Sequence, residues 1–418
     1  MIKIYIPNYF QELNQYSAQI IFDEILGIKY ELNTHSKNNI IIQNGDCDKK
    51  IILSSNFTDS AQRFWLDKQH LPKRIKKFSL ENTIFKSLKT SHTDIPILFG
   101  DNRLEINDKC IKIDVDIFGT VFFMLSRYEE LFPKKLDFHK RFRLEETIAF
   151  KNNFLHRPIV NEYIEIFWLL IKHSWPLLKR KKRQYKSVVS CDVDHPFDDA
   201  TDSIIRISRR FAARVIRDKN ISLAFSDLKC FIQKKIFGKN YDNYTDNIYW
   251  MMDLADSKEI KLQFNFIPLN TGSKLDTKYT LEKKEVIKIF MDIIERKHLV
   301  GIHPGYNSSI NIDIFNHSVK KYKKLLRDLG LNMQINSRQH YLKFNIEDTP
   351  QLWEDNKFFS DSSMGYSNAV GFRSGICHDF PIFNFKSMSI TSIRELPLIV
   401  MECAIFNDNL YNEKKINK

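Results

Sequence analysis

The chain has 418 residues, of which 43% are hydrophobic and 28% are charged. This composition excludes a mostly disordered or fibrous protein, and the length predicts two folded domains. The formal net charge of +13 would suit nucleic acid or a membrane surface, but Lys, Ile and Asn are abundant along the whole chain, so we attribute the charge to general composition and predict no nucleic-acid partner.

The first part of the sequence, residues 1–180, is predicted to form a small α/β accessory domain. Its N-terminus lacks the basic and apolar regions of a signal peptide, no apolar run reaches the length of a membrane span, and the six cysteines form no CxxC pair. We therefore expect a cytoplasmic protein with reduced thiols and no transmembrane segment. The predicted strands are 2–6, 40–42, 51–53 and 111–115, and the predicted helices are 118–132 and 159–173.

Pro176 and the basic run 179–183 mark a boundary, after which strands alternate with long helices up to about residue 410. This alternation is typical of βα units in a parallel sheet or barrel. The second domain is therefore assigned to 184–410. Its predicted strands are 187–194, 262–267, 299–303, 333–337, 358–361 and 398–401, and its predicted helices include 204–218, 283–296 and 316–329.

Asp192 and Asp194 end the first of these strands. Side chains of a strand alternate between its two faces, so both carboxylates are expected on one face. At the carboxyl end of a barrel strand, two acids can divide the work of metal ligand and general base. Asp also ends strands simply as a turn residue, so the pair alone does not decide between the two interpretations.

Two further strand ends carry polar side chains. His303 lies where a strand meets a turn rich in Gly and Pro, a place suited to metal ligation. Arg338 follows another predicted strand, where its guanidinium could keep a catalytic carboxylate ionised. Because barrel strands bring their carboxyl ends together, the separation of these residues in sequence is no obstacle.

The order of these features resembles the metal-dependent polysaccharide deacetylases of the NodB-homology type, in particular a divergent bacterial branch with an extra N-terminal domain. The resemblance spans about residues 186–406. It is carried by five short segments: Asp192-Val193-Asp194, His303-Pro304-Gly305-Tyr306-Asn307, Arg338-Gln339-His340-Tyr341, Phe359-Ser360-Asp361-Ser362-Ser363 and Leu398-Ile399-Val400-Met401-Glu402. It implies a distorted (β/α) barrel preceded by a smaller α/β domain.

The resemblance also implies residue roles. Asp192 would be the general base, oriented by Arg338. Asp194 and His303 would bind a divalent metal, with zinc as the expected ion, and Asn307 stands where the family usually has a second His ligand. Glu402 stands where the family usually has a His as general acid. The remaining candidates are substrate contacts: Tyr306, His340, Asp361 and Arg373, of which His340 is also a spare imidazole for the metal.

The implied activity is removal of N-acetyl groups from an amino sugar or glycan during surface-polysaccharide biosynthesis, such as that of capsule or lipopolysaccharide. Because Asn307 and Glu402 replace expected histidines, a second hypothesis is a degenerate deacetylase fold that binds glycan or nucleotide-sugar without hydrolysis. A third and weaker hypothesis takes the positive charge as a nucleic-acid or membrane-surface contact. Arg373 has two interpretations, as a sugar contact or as a partner of a nearby acid such as Asp361.

Overall fold

The computed structural model describes residues 1–45, 47–90, 92–237, 242–276 and 278–407. The chain divides into two compact units, which are described separately. Unit 1 comprises Met1–Gln184 together with Tyr341–Lys418, and unit 2 comprises Tyr185–His340. This division differs from the predicted second domain at 184–410, because the segment after His340 groups with the N-terminal residues.

The physical reason for this grouping is a set of long-range contacts inside unit 1. The buried Tyr16 hydroxyl donates to the backbone oxygen of Pro381 at 2.9 Å, and Arg394 forms a bidentate ion pair with Glu24 at 2.9 and 3.0 Å. Contacts of this kind depend on side chains more than 350 positions apart, so no local pattern in the sequence reports them.

The N-terminal part of unit 1 is built on a six-stranded mixed sheet in the order β2-β1-β3-β4-β8-β7, with a separate antiparallel pair, β5 and β6. Side chains alternate between buried and partly exposed along the central strands, as expected for a sheet covered on one face. The strands are β1 (Ile2–Pro7), β2 (Tyr30–His35), β3 (Asn39–Asn44), β4 (Lys50–Ser54), β5 (Lys76–Ser79), β6 (Asp94–Ile97), β7 (Gly100–Ile106) and β8 (Cys110–Val115).

The helices of this part are α1 (Gln11–Ala18), α2 (Asn56–Phe64), α3 (Ile117–Leu125), α4 (Ile148–Lys151) and α5 (Ile159–Ser174). The helix predicted at 118–132 is buried as expected, but it ends earlier. Arg127 has a φ of 54°, in the left-handed region, and a short 3₁₀ turn follows it. The buried Arg127 and Glu129 therefore lie after α3 and outside it.

Unit 2 contains a parallel sheet of four strands in the order β9-β10-β11-β12, joined by helices. Its buried side chains, such as Phe264, Phe266 and Ile302, form the core side of these strands. The strands are β9 (Val189–Val193), β10 (Leu262–Phe266), β11 (Leu299–Ile302) and β12 (Asn336–Ser337), and the helices are α6 (Ile204–Ile216), α7 (Ile221–Phe237), α8 (Asn243–Ser257), α9 (Lys284–Glu295) and α10 (Ile312–Asp328).

The C-terminal part of unit 1 contains α11 (Thr349–Asp355), β13 (Ser360–Asp361), β14 (Phe380–Asn384), β15 (Ser389–Glu395) and α12 (Glu402–Asn407). In this part, β15 pairs parallel with β13 and antiparallel with β14. The strand predicted at 398–401 is wrong. The preceding strand ends at Glu395, and Pro397 has no N–H group to continue a ladder, so the chain leaves the sheet there.

These elements make the protein a mixed α/β fold with parallel strand pairs in both units. A closed (β/α) barrel stays a prediction. Within the described ranges, each helix is either too short or too polar to cross a bilayer.

Candidate metal centre

The strand register of unit 2 explains why polar side chains gather at one edge of its sheet. Asp192 on β9 lies beside Asn265 on β10, Asn265 lies beside Gly301 on β11, and Gly301 lies beside Asn336 on β12. Two residues further along three of these strands come Asp194, His303 and Arg338. Because a step of two returns a side chain to the same face, this edge collects acids, imidazole and guanidinium together.

Asp192 is held in one orientation by two neighbours. Its Oδ1 accepts hydrogen bonds from Asn265 Nδ2 at 2.8 Å and from Arg338 Nη1 at 3.3 Å. Arg338 Nη2 also donates to the Ser190 hydroxyl at 2.6 Å, which fixes the guanidinium against β9. Burial raises the pKa of Asp192, but the interactions with His303 and Arg338 and the hydrogen bond from Asn265 outweigh it, so the pKa is lowered and the carboxylate is ionised.

The Asn265 amide is itself oriented. It is fully buried, and its oxygen accepts from Gln263 Nε2 at 2.8 Å, which leaves its NH₂ group to face Asp192. On the neighbouring strand, a Cβ at Gly301 would lie 2.3 Å from the Asn265 oxygen. A residue with a Cβ would clash with the Asn265 amide at this position, so Gly301 allows Asn265 to keep its place beside Asp192.

Three residues in this unit could hold a metal ion: Asp194, His303 and His340 each offer one ligand atom, and these atoms lie within 4.8 Å of one another. The Nε2 atoms of the two histidines each lie 3.6 Å from Asp194 Oδ1. That oxygen is buried and has no hydrogen-bond partner within the described part of the chain. An unsatisfied buried carboxylate oxygen facing two imidazole nitrogens fits a cation, and two His plus one carboxylate is a ligand set used by catalytic zinc.

Both histidines have their other ring nitrogen beside a fixed acceptor. His303 Nδ1 lies 2.6 Å from the backbone oxygen of Arg338, and His340 Nδ1 lies 3.1 Å from Asp276 Oδ1. A carbonyl and a carboxylate can only accept, so both Nδ1 atoms must donate a hydrogen. In a neutral imidazole this leaves the lone pair on Nε2, the atom directed toward Asp194.

The pKa values of the two imidazoles shift in opposite directions. Burial lowers the pKa of His303, in spite of the neighbouring Asp192, and this favours the neutral ring that a metal requires. Burial also opposes the charge on His340, but the neighbouring carboxylates of Asp194 and Asp276 outweigh it and raise the pKa of His340 to about 9. Without a cation His340 is therefore protonated, and a metal would replace its proton.

Asp276 anchors the loop around this cluster, and no pattern in the sequence indicated this role. Its Oδ1 also accepts from the N–H of Tyr306 at 2.7 Å, and its Oδ2 accepts from the N–H of Thr271 at 2.8 Å and from the Thr271 hydroxyl. Burial raises the pKa of Asp276, but the hydrogen bonds from His340 and Thr271 outweigh it and lower that pKa to about 2. Asp276 lies in a long loop without periodicity, so only its folded position reveals its contacts.

The loop after β11 places two other candidates. The Asn307 N–H donates to the Thr271 hydroxyl, and Asn307 Nδ2 donates to the backbone oxygen of Thr271, both at 3.0 Å. The amide therefore ties the loop together, and its role as a ligand stays a prediction. Tyr306 is half-buried, and its ring centroid lies 6.4 Å from that of His340. Its role as a substrate contact stays a prediction as well.

Asp361, Arg373 and Glu402 belong to unit 1. Asp361 is fully buried and lies beside Glu395 in the strand register, and burial together with the Asp361 charge raises the pKa of Glu395 well above its usual range. Glu402 was expected at the end of a strand, but it is exposed at the start of α12. Its role as a general acid stays a prediction.

Arg373 is buried, and its Nη2 and Nε donate to the two carboxylate oxygens of Glu130 at 2.6 and 2.9 Å. It also lines a cavity of about 220 Å³. The acid that pairs with Arg373 is therefore Glu130, from the N-terminal part of unit 1, where the sequence suggested Asp361. Contact between Arg373 and a sugar stays a prediction.

Comparisons with known proteins cover parts of the chain. Residues 2–176 match the model of a family described as a family of unknown function, DUF7033. No curated protein matches the chain. A solved structure described as a "putative polysaccharide deacetylase" from Mycobacterium smegmatis is similar at 13% identity, with a TM-score of 0.29, over 50% of this chain and 57% of that one. The chemistry of the site therefore has to be argued from its own geometry.

Proposed function

We propose that unit 2 carries a metal-dependent hydrolase centre that removes N-acetyl groups from an amino sugar or glycan. The observation that carries the proposal is the convergence of Asp194, His303 and His340 beside the ionised Asp192. A bound divalent cation would polarise the acetamide carbonyl and lower the pKa of water. The two nitrogen ligands and one oxygen ligand favour zinc.

In this proposal Asp192 accepts the proton of the attacking water. Its Oδ1 is occupied by Asn265 and Arg338, whereas its Oδ2 lies 3.8 Å from His303 Nε2 and so faces the cluster. An ionised carboxylate with one committed and one facing oxygen is suited to general-base work. Arg338 and Asn265 are positioning residues, because they hold Asp192 and do not need to touch the substrate.

The sugar substrate class is supported by the order of the short segments at Asp192, His303, Arg338 and Asp361, which resembles that of the polysaccharide deacetylases, and so is the barrel fold. A place in surface-polysaccharide assembly is part of the same proposal. Tyr306, Asp361 and Arg373 remain proposed contacts to the sugar, and Glu402 remains the proposed general acid.

The test combines metal binding with acetate release. Purified protein should bind one zinc ion, and the variants Asp194→Ala and His340→Ala should lose it. Wild type should release acetate from N-acetylglucosamine oligomers, and Asp192→Asn should keep the metal but lose activity by about 10²- to 10⁴-fold. Acetate release that survives complete removal of metal would contradict the proposal. Oligomer binding without any acetate release would favour the non-hydrolytic alternative.

A further inference from the structure

Helix α7 in unit 2 carries an exposed apolar stripe. Ile221, Phe225, Ile232 and Ile236 are between 45 and 66% exposed. At about 100° per residue these four positions fall within an arc of about 60°, so they form a single face along the whole helix. An exposed face of a soluble helix is normally polar, and single exposed apolar residues are common, but an aligned set of four requires an explanation.

The stripe is not the face with which α7 packs in its own unit. Ala224 and Phe231 are buried on an adjacent side of the helix, about 90–110° from the centre of the stripe. On that side Asp227 accepts from Arg214 of α6 at 3.3 Å, which joins the two helices into a hairpin. The hairpin therefore has its own inner contacts, and the stripe faces outward.

Helix α6 of the same hairpin also exposes apolar side chains. Ile204, Ile205 and Ile216 are among the most exposed large apolar side chains of unit 2, at 69, 63 and 75%. Only Ile207 of this helix is buried. Both helices of the hairpin thus present Ile side chains to solvent.

The hairpin is also strongly basic. Residues 204–236 contain nine Lys and Arg residues against two Asp, a net charge of +7 out of the +13 of the whole chain. Arg209, Arg217, Lys219, Lys229 and Lys235 are exposed. The hairpin therefore contributes more than half of the net positive charge of the chain.

We propose that the α6–α7 hairpin docks on the surface of an anionic lipid bilayer. The Ile and Phe side chains enter the boundary between headgroups and acyl chains, and the Lys and Arg side chains contact lipid phosphates. Charge complementarity favours this partner, because an apolar face flanked by basic residues matches the layered chemistry of a bilayer surface. Nucleic acid would use the charges but leave the stripe in water. This inference does not depend on the proposed hydrolase activity.

The test is flotation of the full chain with vesicles of phosphatidylcholine alone and vesicles containing 30% phosphatidylglycerol. Wild type should float with the anionic vesicles, and binding should weaken as salt rises. The variant Ile221→Glu/Ile232→Glu should bind at least about tenfold more weakly. Lys229→Glu/Lys235→Glu should lower the affinity for the anionic vesicles by about fivefold for each positive charge removed, and it should not change binding to the phosphatidylcholine vesicles.

A matched control is Ile310→Glu/Ile312→Glu, which changes two exposed Ile side chains elsewhere in unit 2 and should bind like wild type. The far-UV circular dichroism of all variants should be unchanged, because the altered side chains are exposed. Four results would overturn the proposal. The first three are no flotation of wild type, flotation of the stripe variant equal to that of wild type, and a dimer that the stripe substitutions disrupt in a protein that does not bind vesicles. The fourth result is that wild type and the stripe variant bind a DNA duplex equally well and neither binds vesicles, which would favour nucleic acid as the partner.

Discussion

Asp276→Asn tests whether His340 is a metal ligand held by a buried carboxylate. In the wild type four donors converge on Asp276: His340 Nδ1, the Tyr306 N–H, the Thr271 N–H and the Thr271 hydroxyl. Asparagine keeps one acceptor oxygen and replaces the other by an NH₂ group. At least one backbone N–H, that of Tyr306 or that of Thr271, therefore loses its acceptor whichever way the amide turns, because an N–H can only donate.

Two effects follow from this geometry. Each buried donor left without an acceptor costs about 1–3 kcal/mol, so the metal-free protein should lose at least about 1–3 kcal/mol of unfolding free energy. Loss of the carboxylate behind a metal-binding imidazole typically weakens metal affinity about 10- to 100-fold, which corresponds to about 1.4–2.7 kcal/mol. The second effect requires His340 to bind the metal, whereas the first does not.

The measurement is isothermal titration of zinc into folded wild-type and Asp276→Asn protein, with urea unfolding of both metal-free proteins. The control is Asp198→Asn in the same unit. Asp198 is also buried and accepts from Arg210 at 2.6 and 2.7 Å, so its loss should destabilise unit 2 without changing zinc affinity. If Asp276→Asn loses stability but binds zinc as tightly as wild type, Asp276 does not act through a metal-bound His340 and the reasoning is refuted.

Four further predictions concern three single substitutions. Asn307→Ala distinguishes two roles of the amide. If Asn307 only ties the loop to Thr271, the variant should bind zinc within about twofold of wild type by titration. If Asn307 is a metal ligand, zinc affinity should fall by about tenfold or more. Gly301→Ala should bind zinc like wild type but release acetate more slowly. The reason is that the new Cβ would displace the Asn265 amide, which holds Asp192 in its orientation. An unchanged kcat would show that the orientation of Asp192 by Asn265 is unimportant. Glu130→Gln should lower the urea-unfolding free energy by about 3–5 kcal/mol by leaving Arg373 without its buried partner. Burial raises the pKa of Glu130, but Arg373 and Arg127 outweigh it and lower that pKa to about 2, so the stabilising effect is full above the unfolded pKa near 4.5 and fades as pH falls toward 2. The stability difference between wild type and Glu130→Gln should therefore shrink from pH 6 to pH 3, and a difference that stays constant would contradict this.

The sequence alone predicted the framework of unit 2. Short apolar runs at 189–193, 262–266 and 299–302 have the length and composition of buried strands, so their positions follow from local pattern. The alternation of side chains also predicted that Asp192 and Asp194 share a face. These properties are local, since a strand needs only its own residues to define its two faces.

The tertiary structure decided which polar groups meet. His340 joins Asp194 and His303 through the packing of a short 3₁₀ turn after β12, and Asp276 reaches His340 from a loop 64 positions away. The pairing of Arg373 with Glu130 spans 243 positions. Such contacts are set by the way in which distant segments exclude water together, because a buried charge must find a partner wherever the fold provides one. The sequence therefore determined where the strands end, and folding determined which side chains those ends bring together.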